Sequence, residues 1–164
     1  MLDALLSTAD KEKTEPTLIK TAIFYVHHPL QTSRNIVDAM LKLGAKPNNI
    51  YILGKRYSEC DEVVQALISL GVHYQPSSAQ NGLGQYANSF IRDINWLWLE
   101  LTKTLSKCIE NILVLDHGGH AAAYIPNYLL KNYRIIGVEK TSAGLFDIDK
   151  KGSLPYPIID LPIR

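Results

Sequence analysis

The stretch from Asp116 to Ala123 reads DHGGHAAA and follows the apolar run NILVL, so a carboxylate, two imidazoles and two glycines stand together where a strand should end. A histidine near its free pKa exchanges a proton at neutral pH, and a carboxylate such as Asp116 or Glu139 would orient the ring or stabilise its charged form. Imidazole and carboxylate also suit divalent metals. Gly118 and Gly119 let a ligand approach the backbone closely, and a helix starting near His120 would offer free N–H groups to an anion or a ribose oxygen. Against these stands a plainer reading, in which His117 and His120 only hydrogen-bond the backbone around a strand–helix turn.

Spacing separates these chemistries only in part. DHGGH is not HExxH, and its histidines lie three apart in a glycine turn, so no metal site is assigned. Neither a GxGxxG nor a Walker lysine motif occurs, which removes support for a standard phosphate loop. HGG is similar to the oxyanion loops of lipases, but no GxSxG nucleophile elbow accompanies it. Lys140 beside Glu139 is an active-site base only if desolvated, and otherwise ion-pairs in solvent. No residue is assigned a catalytic role.

The elements that must hold these groups follow from periodicity. TAIFYV from Thr21 is too apolar for a half-exposed strand and reads as a buried parallel one ending at His27 and His28. Pro29 opens a helix through LQTSRNIVDAMLKLG, stopped by Gly44. NIYIL is a second strand, followed by a helix from a capping Ser58 to Gly71. VDAMLKLGA and VQALISLGV nearly repeat, as two strand–helix units would. VHY is a short strand in which His73 is structural, and QPSSAQNGLGQ is a loop. A long helix spans Tyr86 to Ile109, with Trp96 and Trp98 packing in the core or at a chain–chain contact. NILVL, a helix AAAYIPNYLLKN confined by Pro126, and YRIIGV complete the pattern. TSAGLFDIDKKGSLP reads as loop, with room for a small hairpin, and YPIIDLPI as an extended tail whose prolines discourage a central strand. The class is α/β, with a mostly parallel sheet covered by helices. Ligands in such folds collect at the carboxyl ends of strands where strand order reverses, which favours His27 above all as a ligand contact.

Of the 164 residues, 46% are apolar, enough for one substantial core. Residues 1–20 read as a helical or flexible arm and 21–164 as the domain. Seventeen basic residues against sixteen acidic ones, without a dense block, argue against a large nucleic-acid footprint. No stretch is long enough for a membrane span, no signal peptide is evident, and Cys60 and Cys108 form no CxxC pair, so a cytoplasmic protein is expected.

NILVLDHGGHAAAYIPNYL, YRIIGVEKTSAGLF and LPYPIIDLP, taken in this order with FYVHHPLQTSRNIVDAMLKLGA and the helix around NWLWLELTKTL, resemble the substrate-binding part of S-adenosylhomocysteine hydrolase over most of residues 21–161. The resemblance implies a Rossmann-like three-layer sandwich. It also implies a family whose complete members add an NAD domain and cleave their substrate through transient oxidation of the ribose. His27 stands at the family's strand-end histidine, but Pro29 replaces a threonine that helps hold the adenosine and Gln31 an acidic residue. Asp116, Gly118 and Gly119 keep the family's turn, whereas His117 and His120 replace aspartates, the first of them catalytic. Glu139 matches the first of two glutamates, Lys140 replaces the ribose-contacting second, and Thr141, Ser142, Ala143 and Gly144 follow.

The expectation is therefore an incomplete or divergent domain of that type, its catalytic competence as an isolated chain left open, binding a nucleoside-like ligand through His27, Asp116, His117, Gly118, Gly119, Glu139, Lys140 and Thr141. No cofactor is expected in this chain, and NAD only if an additional domain exists. Two alternatives stand beside it: the front part of an NAD-dependent enzyme with a missing C-terminal domain, and a non-catalytic interaction domain that forms a homodimer through the aromatic helix.

Overall fold

The computed structural model describes residues 17–55, 59–79, 86–150, 152 and 154–161. Six strands form one all-parallel sheet in the order β3-β2-β1-β4-β5-β6. They are β1 Thr21–His27, β2 Ile50–Gly54, β3 His73–Pro76, β4 Asn111–Asp116, β5 Arg134–Glu139 and β6 Ile158–Asp160. Parallel neighbours cannot be joined by tight hairpins, so each connection crosses a face of the sheet. Helices α1 (Gln31–Lys42) and α2 (Asp61–Ser69) pack on one face. Helices α3 (Tyr86–Thr104), α4 (His120–Ala123) and α5 (Asn127–Asn132) pack on the other, and α6 (Ser142–Asp149) follows β5. The fold is the expected Rossmann-like three-layer sandwich.

Period-two alternation divides β1 between two cores. Ala22, Phe24 and Val26 face the α3 layer, where Trp98 stacks on Phe24 with ring centroids 3.9 Å apart. Ile23 and Tyr25 face the α1–α2 layer. The near-repeat has a structural basis, because Met40 and Leu67 take equivalent buried positions on α1 and α2, as do Ala45 and Val72 just beyond them.

Several elements differ from expectation. α1 begins two residues after Pro29, with Leu30 at its N-cap. Ser58 lies outside the described residues, and α2 starts at Asp61 behind Cys60. α3 stops at Thr104, and the chain turns so that Ile109 is a buried anchor while Glu110 and Asn111 both donate to Lys20 O, which sets β4 beside β1. Pro126 divides the expected helix into α4 and α5, as its missing N–H requires. The expected loop after Glu139 contains α6, nucleated by the Thr141 side chain, which accepts from Gly144 N at 3.0 Å. The proline-flanked tail supplies β6, and an edge position is where such a strand is tolerated. Tyr156 holds the tail down by donating its hydroxyl to Ala122 O. Residues 1–16 of the expected arm lie outside the described residues. Among the described residues no helix is long and apolar enough to cross a membrane.

Candidate functional site

Strand order reverses between β1 and β4, and the crevice at their carboxyl ends is where this topology binds ligands. The register puts His27 level with Gly54 of β2, and Asp116 of β4 level with Glu139 of β5. Tyr25 and His27, two apart on β1, share a face, and their rings stack at 5.3 Å. His27 Nδ1 lies 2.8 Å from His28 O and 2.6 Å from Ser33 Oγ, and that hydroxyl itself donates to His28 O at 2.5 Å. Both groups converge on one carbonyl, which assigns the proton to Nδ1 and leaves Nε2 as an acceptor.

His28 and His117 complete a triangle, with ring centroids 6.0 Å (His27–His28), 5.4 Å (His27–His117) and 4.9 Å (His28–His117) apart. Burial and then the Lys140 ammonium push His27 down to about 3. Burial, then Lys55 and Lys140, push His117 down to about 4 and hold His28 below its ordinary value. The triangle is therefore neutral at physiological pH.

Two lysines supply the positive charge. Lys55, immediately after β2, is buried and donates from Nζ to His117 O at 2.6 Å. Lys140, immediately after β5, carries its ammonium 4.8 Å from the centre of the Tyr25 ring. That nitrogen is shielded from solvent and has no hydrogen-bond partner, and the same is true of His117 Nδ1. Burial outweighs the attraction of Glu139 and Asp116 and brings Lys140 down to about 8.

The carboxylates point elsewhere. Glu139, fully buried, accepts from Gly118 N (3.1 Å), Gly119 N (2.7 Å), Thr141 N (2.7 Å) and Thr141 Oγ1 (2.6 Å). Asp116 accepts from His117 N at 2.8 Å and Ala122 N at 2.9 Å, and burial lifts its carboxyl to about 6. Gly118 and Gly119 both have positive φ, +114° and +72°. A Cβ on Gly119 would run into the Gly144 carbonyl, and one on Gly144 into the Glu139 carboxylate. The N–H groups of Gly118 and Gly119, and that of Ala122 in the helix expected to offer its own to a ligand, are thus satisfied by the protein's own acids.

No protein-family model matches the chain. Two uncharacterized proteins of Mycobacterium tuberculosis, from strains CDC 1551 / Oshkosh and ATCC 25618 / H37Rv, are each 27% identical to it over 168 aligned residues, covering 98% of this chain. The chain spans 31% of the length of these relatives. The crystal structure of Escherichia coli diaminopropionate ammonia lyase in apo form aligns with 89% of this chain and 50% of its own, at 15% identity and a TM-score of 0.32, too loose a match to carry an argument. None of these findings supports the resemblance to S-adenosylhomocysteine hydrolase.

Of the expected ligand residues, His27, His117 and Lys140 converge at the rim. Asp116, Gly118, Gly119, Glu139 and Thr141 form the framework beneath it, Thr141 as the cap of α6. His120 sets its ring edge-on to Phe90 at 5.5 Å, and His73 stacks on Tyr51 at 4.4 Å. Lys55, Tyr25 and Ser33 were missed. Tyr25 was legible as the residue two before His27, and Lys55 as the residue following a strand into the crevice. Ser33, on the first turn of α1, left no signal. Among the described residues no group of three or more His, Cys, Asp or Glu is arranged to hold a metal ion. An open cleft of about 450 Å³ lies between α1 and α2, and the Arg34 guanidinium in its wall is held by Asp38 at 2.9 Å. Trp98 is core, while Trp96 and Leu99 on the outer side of α3 are about half exposed.

Proposed function

We propose that this domain binds a small, hydroxyl-bearing molecule of nucleoside-like shape at the carboxyl rim of β1 and β4. The observation that carries this reading is His27, a neutral imidazole locked through Nδ1 with Nε2 left as an acceptor at the switch point. An acceptor fixed in this way suits a sugar hydroxyl, which it orients by receiving its proton in a hydrogen bond. The resemblance to the S-adenosylhomocysteine hydrolase substrate domain agrees with such a ligand. The changes at His117 and Lys140 set this rim apart from that family's.

The described residues do not fit NAD. A dinucleotide pyrophosphate would need N–H groups at a glycine turn, and those of Gly118, Gly119 and Ala122 are occupied by Glu139 and Asp116. No hydride step is therefore derived for this chain, and in this reading such chemistry requires a domain from a longer chain or another subunit. Calorimetric titration with adenosine and S-adenosylhomocysteine tests the reading. Binding heat that disappears in His27→Ala is the expected result, and absence of heat with both ligands would overturn it.

A further inference from the structure

We infer that the rim takes the oxyanion of its ligand, a phosphate or carboxylate group, on Lys140 with Lys55 beside it. This inference rests on the rim-binding reading and specifies the charge of what binds there.

The starting point is an ammonium without an acceptor. Lys140 Nζ is shielded from solvent, makes no hydrogen bond and lies over the face of the Tyr25 ring. A desolvated cation is costly unless an anion or several acceptors meet it. Glu139 and Asp116 are close enough to attract Lys140, but their oxygens accept from Gly118, Gly119, Thr141, His117 and Ala122. The acids are thus spent on the glycine turn and the ends of β4 and β5, while the cation is left for something else.

Three further features point the same way. Lys55 is near enough to Lys140 to repel it, so the rim holds two like charges that a shared anion would reconcile. All three neighbouring imidazoles are kept neutral, so they add no competing charge and can serve as donors or acceptors. His117 Nδ1 is a second buried polar atom without a partner, suited to donate to the same oxyanion. With His27 Nε2 as an acceptor, the ligand this arrangement fits carries an oxyanion and a hydroxyl within one small molecule. A sugar phosphate and a hydroxy acid both meet that description. His27, His28 and His117 are partly exposed and all three feel the Lys140 charge, which makes their rings the reporters of an anion arriving beside it.

The test is a titration of the full chain at pH 7 and low salt, followed through the histidine side-chain NMR signals. The probes are inorganic phosphate, adenosine 5′-monophosphate, adenosine and gluconate. The expected result is that adenosine monophosphate binds at least about tenfold more tightly than adenosine, the factor one charge-assisted hydrogen bond supplies. Lys140→Met should abolish that preference and Lys140→Arg should keep it. Adenosine binding as tightly as its monophosphate, or a preference that survives in Lys140→Met, would overturn the inference while leaving the rim reading in place. Phosphate and gluconate binding without any contribution from adenosine would support the anion site and remove the nucleoside-like ligand. Silence of the histidine signals with every probe would overturn both. The ratio of gluconate to monophosphate affinity identifies the oxyanion.

Discussion

Replacing Lys140 by methionine should make the protein more stable, which is not the usual outcome of changing a residue in a binding site. Burial brings the ammonium from 10.5 down to about 8 even with Glu139 and Asp116 nearby. At about 1.4 kcal/mol per pH unit, that gap corresponds to about 3 kcal/mol by which the charged form disfavours folding at neutral pH. Screening along the partly exposed stem makes this an upper figure. The pH dependence is distinctive. Between pH 8 and 10.5 the folded protein binds fewer protons at Lys140 than the unfolded chain does, so wild-type stability rises across that window, and the penalty is fully present below it. Urea unfolding of wild type and Lys140→Met at pH 7, 8, 9 and 10 should show the variant ahead by about 2–3 kcal/mol at pH 7, with the advantage shrinking as pH rises. An advantage that does not change with pH would refute the electrostatic origin. A variant less stable than wild type at pH 7 would show that the ammonium is well paired and refute the reasoning behind the anion site as well.

Gly119→Ala combines a positive φ with a collision against the Gly144 carbonyl, and should cost about 3 kcal/mol or more in thermal or urea unfolding. A loss under about 1 kcal/mol would mean that the two loops are not interlocked. On acidification, His27 and His117 have folded values near 3 and 4, below the unfolded 6.5. The unfolded chain therefore takes up more protons as pH falls through 6.5 toward about 4, and stability drops in that range. A double His27→Gln, His117→Gln variant should show a flatter pH–stability curve there, and an unchanged slope would place the acid sensitivity elsewhere. Trp98→Ala should cost about 3–5 kcal/mol by emptying the stack on Phe24.

β1 and β2 were legible because each is a short apolar run buried on both faces, and TAIFYV could scarcely be anything else. The rim was legible for a related reason: a parallel sheet puts every strand end on one edge, so His27, Asp116 and Glu139 had to be neighbours although distant in sequence. What stayed hidden was the direction in which side chains point. Asp116 and Glu139 are equally plausible as catalytic acids and as internal partners of a glycine turn until the positions of Gly118 N and Gly119 N are known. Lys140 read as solvated because nothing in EKTSAG indicates that its ammonium comes to lie shielded against the Tyr25 ring. α6 was missed for the same reason, its start being fixed by a cap tied to Glu139 more than by its own weak pattern.

Glu139 is in effect a ligand that the chain carries in its own sequence, which lets the glycine turn close with no molecule bound. Cut back to alanine, it would leave three amide hydrogens and a hydroxyl around a vacancy of carboxylate size. Millimolar acetate or formate should then refill that vacancy and restore part of the lost stability, a chemical rescue of the turn itself.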